Sequence, residues 1–362
     1  HVERALLFLR DVRISFGQRR RQSYFLSGIP PRASCIHSFV RCARLKRLFP
    51  VLAVGAFMVM LIVRPAYFLD SASRGLLLFA TSVLPAVFPF FFCASLLTAL
   101  GAANSVSRLA ARPVAALFRS PPSGAYVFTL SLLSGYPIGA ATVADLCLNG
   151  VINRSEAKKI ASFTSTSGPV FVLGTVGSVI FGDPACGALL LIAHYASALV
   201  TGLVFRGRET TGDGVRMLSA ERDADGALSR SIASSSLAML AVGGYIVVGN
   251  MLIDAIALSG VFESISSSCD PTAAGCVKAF LSGGIEMTRG TMEAANIPCR
   301  PLALAVACAV ISFGGLSVIM QSHAFLSKCG IPLSALLGRK AVQCVAAFIL
   351  AFVFSLIYFT IF

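Results

Sequence analysis

The sequence predicts an all-α polytopic membrane protein with two inverted repeats, seven spanning helices and two re-entrant helical hairpins. Of its 362 residues, 56% are apolar and only 13% are charged, whereas a soluble domain is usually ~45–50% apolar and ~25% charged. A series of long apolar runs and an uneven distribution of Lys and Arg along the chain point the same way. Together these observations indicate that the lipid bilayer is the solvent of this fold.

Seven apolar runs are long enough to cross a bilayer, since a spanning helix needs ~20 residues. They lie near residues 50–69, 75–100, 160–181, 185–205, 230–258, 301–325 and 340–362. Two further apolar stretches, 124–150 and 272–296, are interrupted in their middle by Ser- and Gly-rich sequence. We predict that both are re-entrant hairpins, because non-helical backbone at membrane depth survives only where protein or a wet cavity covers it.

The Lys and Arg residues predict the orientation in the membrane. With a cytoplasmic N-terminus, the inside segments hold 11, 3, 3, 5 and 3 of the 30 cations; these segments are 1–49, 101–123, 149–160, 206–231 and 326–340. Only five cations are left for the outer side, as the positive-inside rule predicts. The C-terminus is then outside. The net charge of +14 therefore reflects membrane orientation, and nucleic-acid binding is not predicted.

The chain divides into two similar halves after a first span. The predicted parts are a basic cytoplasmic extension (1–49), a first spanning helix (50–69), a first repeat (75–205), a cytoplasmic linker (206–229) and a second repeat (230–362). Within the first repeat, residues 104–118 are predicted as an amphipathic helix at the membrane surface. Three crossings per repeat invert the second repeat relative to the first. Inverted repeats with interrupted helices are typical of secondary transporters, whose substrate site lies near the midplane.

Four polar clusters interrupt the apolar runs, and we predict that they line a substrate site. Gly and Pro disrupt the helices there and free backbone amides. One or two hydroxyl groups can re-satisfy such a break, but the row of four at 164–167 exceeds that need. The predicted substrate-binding residues are Ser134, Gly135, Tyr136, Ser165, Thr166, Ser167, Gly168, Ser282, Gly283, Gly284, Glu286, Thr288, Ser312, Gly314, Gly315, Ser317 and Gln321.

Glu286 is the sharpest single candidate, since a carboxylate at membrane depth is costly and usually functional. It could bind a donor group of the substrate or carry a coupling proton. The structural alternative is an internal salt bridge with Arg289 or Lys278, two cations that could themselves attract an anion. The weaker candidates are Asn250, His194 and His323.

No enzyme constellation is found, since the sequence has no HExxH motif and no P-loop. The 11 cysteines form no CxxC pair and the four histidines are scattered, so neither a metal site nor a cofactor is predicted. A secondary transporter needs a coupling ion, and both H⁺ and Na⁺ are open.

Residues 134–140, 162–169, 286–290 and 312–317, together with Gln321, resemble the YlbJ/SpoVV sporulation integral membrane proteins. That family carries a nucleoside recognition (Gate) domain, and the resemblance covers residues 50–362. It implies a fold similar to concentrative nucleoside transporters, with a site formed by the hairpin tips and the broken spans. It also implies transport of dipicolinate out of the mother-cell cytoplasm, in the inner membrane or the outer forespore membrane.

Two other functions stay open. A nucleoside or nucleobase permease would use Glu286 and Gln321 to hydrogen-bond ribose or base. A non-transporting scaffold in spore assembly would need no solute site. Glu286 suits a dianion such as dipicolinate only when it is protonated or charge-paired. The expected partners are a small-molecule substrate and the lipid bilayer, with homo-oligomerisation left open.

Overall fold

The computed structural model describes residue 48 and residues 50–100, 103–207 and 226–361. Apart from residue 48, the predicted basic extension 1–49 lies outside the described residues, as do residues 208–225 of the predicted linker. The contacts divide the chain into two units, His1–Pro65 and Ala66–Phe362. All regular secondary structure in the described ranges is helical.

The first long helical stretch, Pro65–Leu97, starts earlier than the predicted span 75–100. Helix α1 (Pro50–Val63) is followed by α2 (Pro65–Leu78), a π-helical turn (Phe79–Val83) and α3 (Leu84–Ala99). The predicted boundary between the first two spans at residues 70–74 is therefore wrong, because the helix break lies at Arg64. Asp70 and Arg74 lie inside α2 and form an i,i+4 ion pair, so these charges stabilise the helix and do not end it.

Two of the next helices begin at a side-chain cap. This part of the chain contains α4 (Ala103–Phe118), α5 (Pro122–Ser134), α6 (Ile138–Leu148), α7 (Arg154–Phe163), a π-helical segment (Val170–Ile180) and α8 (Pro184–Val204). Asn153 and Glu156 form a capping box at the start of α7, and Asp183 accepts from the Ala185 N–H at 2.9 Å at the start of α8. These caps satisfy N–H groups that a helix end leaves unpaired.

The second half repeats this pattern of long and interrupted helices. It contains α9 (Ala227–Ala257), α10 (Val261–Ser268), α11 (Pro271–Ile285), α12 (Met287–Ala295), α13 (Arg300–Phe313), α14 (Gly315–Leu326), a 3₁₀ turn (Ser327–Cys329) and α15 (Leu333–Ile361). Asp270 caps α11 by accepting from the Thr272 N–H at 2.9 Å. Residues 226–229 of the predicted linker already belong to the cap and first turn of α9.

Five helical stretches in the described part of the chain are long and apolar enough to cross a membrane. They are Pro65–Leu97, Pro184–Val204, Ala227–Ala257, Arg300–Cys329 and Leu333–Ile361. The prediction of an all-α membrane protein is confirmed. Two of the seven predicted spans, 50–69 and 160–181, do not form single long helices, because the first breaks at Arg64 and the second at residues 164–168.

The packing of α15 has the polarity of a membrane protein. Its buried side chains include polar and small ones that recur every three or four residues: Lys340, Gln343, Ala347, Ala351 and Ser355. Large apolar side chains between them, such as Val345 and Ile349, are exposed. Exposed apolar stripes of this length indicate contact with lipid, and small residues on the inner face allow close helix packing.

Helix α13 is the centre of the packing. Every residue from Ala303 to Ser312 is buried. In the most apolar 18-residue stretch of Arg300–Cys329, 83% of the residues are buried, against 17% in α15. The alternating alanines of α13 let α8, α11, α12 and α15 approach it closely.

Enlarging a residue of α13 should therefore destabilise the protein. Ala307 is fully buried, and an overpacked interior position typically costs ~1–3 kcal/mol. We expect Ala307→Leu to lower the melting temperature of the detergent-solubilised protein by several degrees. Val345→Leu, at a position 59% exposed, is the matched control and should leave it unchanged. Equal melting temperatures for the two variants would contradict the central position of α13.

Candidate functional site

The turn between α5 and α6, called the first tip (residues 135–137), packs against the non-helical residues 164–168, called the first break. Gly135 has φ +76°, a left-handed conformation that favours glycine. A Cβ on Gly135 would lie 2.9 Å from the Cα of Gly168. The predicted Gly135 and Gly168 are therefore needed because two backbone segments meet there.

The break between α13 and α14, called the second break, consists of Gly314 and Gly315, with φ +81° and +67°. A Cβ on Gly315 would lie 2.7 Å from the Gly283 carbonyl oxygen and 3.0 Å from that of Ile285. Each break thus packs against the helix pair that precedes it in its own half of the chain.

The turn of the second helix pair is shorter than predicted. Ser282, Gly283 and Gly284 belong to the last turn of α11, and only Glu286 separates α11 from α12. A Cβ on Gly283 would lie 2.5 Å from a methyl carbon of Val310. The predicted break at 282–286 is therefore wrong for residues 282–285, because Gly283 permits close packing of α11 on α13 and the helix is interrupted only at Glu286.

Glu286 caps the N-terminus of α12. Its carboxylate accepts from the N–H of Thr288 at 3.1 Å, from the Thr288 hydroxyl at 3.1 Å and from the N–H of Arg289 at 2.8 Å. The residue is 2% exposed. Charge-assisted hydrogen bonds and the helix dipole both stabilise an anion at this position. The negative charge of Glu286 is thus compensated by backbone.

The predicted salt bridge of Glu286 with Arg289 or Lys278 is not formed by these described residues. The Arg289 side chain donates to Asn250 Oδ1 at 3.0 Å and lies 3.5 Å from the carboxylate of Asp254. Asp254 is 4% exposed at its side chain and also accepts from the Arg74 guanidinium at 2.8 Å. Asp254 therefore joins α2, α9 and α12 through Arg74 and Arg289.

Lys340 of α15 links the polar breaks of both halves. Its amine lies 2.6 Å from the Tyr136 hydroxyl, 2.9 Å from the Ser165 carbonyl oxygen and 3.0 Å from the Ser312 carbonyl oxygen. The amide oxygen of Gln343 lies 3.1 Å away. Lys340 is 4% exposed. One buried amine thus joins the first tip, the first break and the end of α13.

His194 of α8 makes a second link between the halves. Its Nε2 accepts from the Ser167 N–H at 2.8 Å, and its Nδ1 lies 2.7 Å from the Ser312 hydroxyl. Because Nε2 is an acceptor, Nδ1 carries the proton and donates to Ser312. The buried ring therefore holds the first break against the end of α13.

The first tip, the turn at Glu286 (the second tip) and the two broken spans line one cavity of about 40 Å³, the central cavity. Eight predicted residues line it: Ser134, Tyr136, Ser167, Gly168, Glu286, Thr288, Ser317 and Gln321. Its apolar wall is Val83, Val87, Phe171, Val242, Ile246, Met287 and Val318. The cavity thus combines hydroxyl, amide and carboxyl groups with an apolar surface, as small-molecule sites do.

A second cavity of about 10 Å³, the side cavity, shares no lining residue with the central cavity. Its polar lining is Ser162, Ser165, Ser322, Arg339, Lys340 and Gln343. Tyr136 lines the central cavity and Lys340 the side cavity, and these two residues are hydrogen-bonded. The Tyr136–Lys340 pair therefore belongs to the partition between the two cavities.

The other predicted residues support the site without lining the central cavity. Ser165 lines the side cavity, Thr166 donates to the Ser131 carbonyl oxygen at 2.8 Å, and Ser312 accepts from His194. The remaining six line neither cavity and lie at backbone contacts and helix ends; they are Gly135, Ser282, Gly283, Gly284, Gly314 and Gly315.

Lys340, Arg339 and Gln343 were missed by the sequence prediction, which assigned residues 326–340 to a cytoplasmic loop. The loop assignment is wrong for residues 333–340, because α15 begins at Leu333 and Lys340 is buried in it. The available signal was periodic. Polar and small residues recur every three or four positions from Lys340 onward, and such a stripe predicts an inward-facing helix side.

The sporulation integral membrane protein YlbJ of Bacillus subtilis (strain 168) is 28% identical to this chain over 313 residues, which cover 77% of this chain and 75% of the relative. This similarity supports the YlbJ family assignment that the tip and break residues predict. No family model matches the chain, and no solved structure matches it. The similarity and the apolar helices also support a location in the membrane.

The His194–Ser312 contact should be measurable as a coupling energy. His194→Ala leaves the Ser167 N–H and the Ser312 hydroxyl without a partner, and each unpaired buried group costs ~1–3 kcal/mol. We expect a clear fall in melting temperature and, in a double-mutant cycle with Ser312→Ala, a coupling of ~0.5–3 kcal/mol.

His323→Ala is the matched control for His194→Ala, because His323 is only partly buried and lies in the last turn of α14. It should change the melting temperature little. Additive effects of His194→Ala and Ser312→Ala would contradict the proposed bridge.

Proposed function

We propose that this protein is a secondary transporter of a small planar anion, with dipicolinate as the expected substrate. One observation carries the proposal. The first tip, the first break and the turn at Glu286, which come from both halves of the chain, meet around the central cavity inside a bundle of apolar helices. Non-helical backbone inside a membrane protein is tolerated where it lines a cavity, and discontinuous helices of this kind form the substrate sites of transporters.

The arrangement of tips and breaks supports an inverted repeat with re-entrant hairpins. In the first half, Gly135 of the tip contacts Gly168 of the break, and in the second half Gly283 contacts Gly315. We propose that each of the helix pairs α5–α6 and α11–α12 enters and leaves the membrane on the same side. The five long helical stretches, together with α1 and the segmented chain from α7 to Ile180, then make seven crossings if each crosses once.

The size of the central cavity indicates a contracted state. A cavity of ~150 Å³ holds benzene, whereas the central cavity measures about 40 Å³ and has room for only a few water molecules. A planar aromatic solute therefore requires the tips and breaks to separate. We propose that substrate binding opens this cavity to one side of the membrane at a time.

We further propose that the protein lies in the inner membrane, or in the outer forespore membrane, with its N-terminus in the cytoplasm. The loops near α7 and before α15 would then be cytoplasmic. Coupling to H⁺ or Na⁺ is part of the proposal, and no further cofactor is needed. Oligomerisation would use the outer apolar helix faces.

A nucleoside or nucleobase is the second candidate substrate. Glu286 and Gln321 both line the central cavity, and carboxylate and amide groups can hydrogen-bond ribose or a base. Glu286 could accept further hydrogen bonds, because a carboxylate has about four acceptor sites and three donors contact it here.

Uptake into proteoliposomes tests these functions directly. Flux of labelled dipicolinate supports the anion transporter, and flux of labelled uridine with no dipicolinate flux would replace it by the permease. If the folded protein carries neither solute under an imposed proton or sodium gradient, the membrane scaffold becomes the better account.

Two cavity-lining variants test the site. Glu286→Gln removes a carboxylate that lines the cavity, and Ser167→Ala removes a hydroxyl there. Losing a hydrogen bond to a charged group costs ~1.5–3 kcal/mol, so we expect about a tenfold or greater loss of flux from a protein that still elutes as a folded species. Ser264→Ala, on the exposed helix α10, is the control. Wild-type flux in both cavity variants would remove this site assignment.

A further inference from the structure

The side cavity is lined by two basic side chains and by no acidic residue. Arg339 and Lys340 both line it. Within the part of the chain that the structure describes, no carboxylate lies within ion-pair distance of either one. All four partners of the Lys340 amine are neutral oxygens. A buried cation without a counter-charge is costly, so the side cavity is suited to an anion that comes from outside the protein.

Two hydrogen-bond donors at the side cavity have no acceptor. Gln343 is 2% exposed and its amide oxygen faces Lys340, which leaves the NH₂ group as its free end; that Nε2 is buried and unpaired. The Nε of Arg339 is likewise buried and unpaired. Buried donors in native proteins are almost always satisfied, so these two groups indicate a missing acceptor.

We propose that the side cavity is a carboxylate-binding subsite through which the transported anion enters. Arg339 and Gln343 donate to one carboxylate group, and Lys340 supplies the opposite charge. This inference rests on the proposed function and adds to it a recognition site for the charged group of the substrate. The ligand class is an aromatic carboxylate, because Ile319 and Leu336 form an apolar wall beside these donors.

The position of the side cavity fits an entry site. It lies beside the end of α7 and the second turn of α15, whose preceding loops are predicted to be cytoplasmic. From there, an anion reaches the central cavity by displacing the Tyr136–Lys340 hydrogen bond. At about 10 Å³ the cavity holds one carboxylate oxygen or one water molecule.

Admission of a whole ring requires movement of Arg339. This side chain is only partly buried, and its guanidinium lies over the Phe205 ring at 4.8 Å. It also donates to the Ala335 carbonyl oxygen at 2.8 Å. Rotation of this one side chain would widen the cavity and turn the planar guanidinium toward a carboxylate, to which it can bind in a bidentate manner.

The test uses the full chain, with thermal stabilisation in detergent and flux in proteoliposomes. The probes are dipicolinate, picolinate and benzoate as carboxylates, and pyridine and uridine as neutral ligands. We expect Gln343→Leu and Arg339→Gln each to raise the half-saturating concentration of the carboxylates about tenfold. Responses to the neutral ligands should not change. Lys328→Gln is the matched control. Lys328 is a cation of the 3₁₀ turn that follows α14, and it does not line the side cavity.

Each outcome decides one of the two claims. If wild-type protein carries dipicolinate and both variants bind and carry it normally, the subsite is overturned while the transporter stands. If wild type carries no carboxylate, the proposed function fails. The subsite is then judged by binding alone: stabilisation by benzoate that is lost in both variants supports it, and no stabilisation of wild type by any carboxylate overturns it.

Discussion

The structure depends on one constraint: backbone that leaves the helical conformation inside a bundle of apolar helices must find partners there. The Lys340 amine meets much of this need, since it donates to the carbonyl oxygens of Ser165 and Ser312 and contacts the hydroxyl of Tyr136. The His194 ring holds the same two breaks from another helix. Without such groups, the freed carbonyl and N–H groups would face hydrocarbon at a cost of several kcal/mol each.

Much of the fold could be predicted because membrane segments follow local composition. The first break was found from Ser, Thr, Gly and Pro in sequence, and the second from Gly314–Gly315, since left-handed backbone nearly requires glycine. The boundary at Arg64 was not found. Asp70 and Arg74 suggested a loop, but they stay in a helix because Arg74 also reaches Asp254, 180 residues away. A pairing between distant segments has no local signature.

The sequence predicted the type of site, but only some of the residues that line it. Ser134, Tyr136 and Gln321 do line the central cavity, since polar residues in an apolar run rarely face lipid. Gly283 was misjudged because a glycine that frees backbone and one that permits close helix packing look alike in sequence. Lys340 was missed because the positive-inside rule counts cations near helix ends as loop residues, and only the periodicity of α15 distinguishes a buried one.

The electrostatics of the two cavities resolve the conflict between Glu286 and an anionic substrate. Glu286 lines the central cavity, but its carboxylate is held by two N–H groups at the start of α12, so its charge is compensated by the helix dipole. The basic side chains at the side cavity, Arg339 and Lys340, have no carboxylate partner among the described residues. For the proposed anionic substrate, this difference would favour entry through the side cavity, while the carboxylate beyond Tyr136 is already hydrogen-bonded by the start of α12.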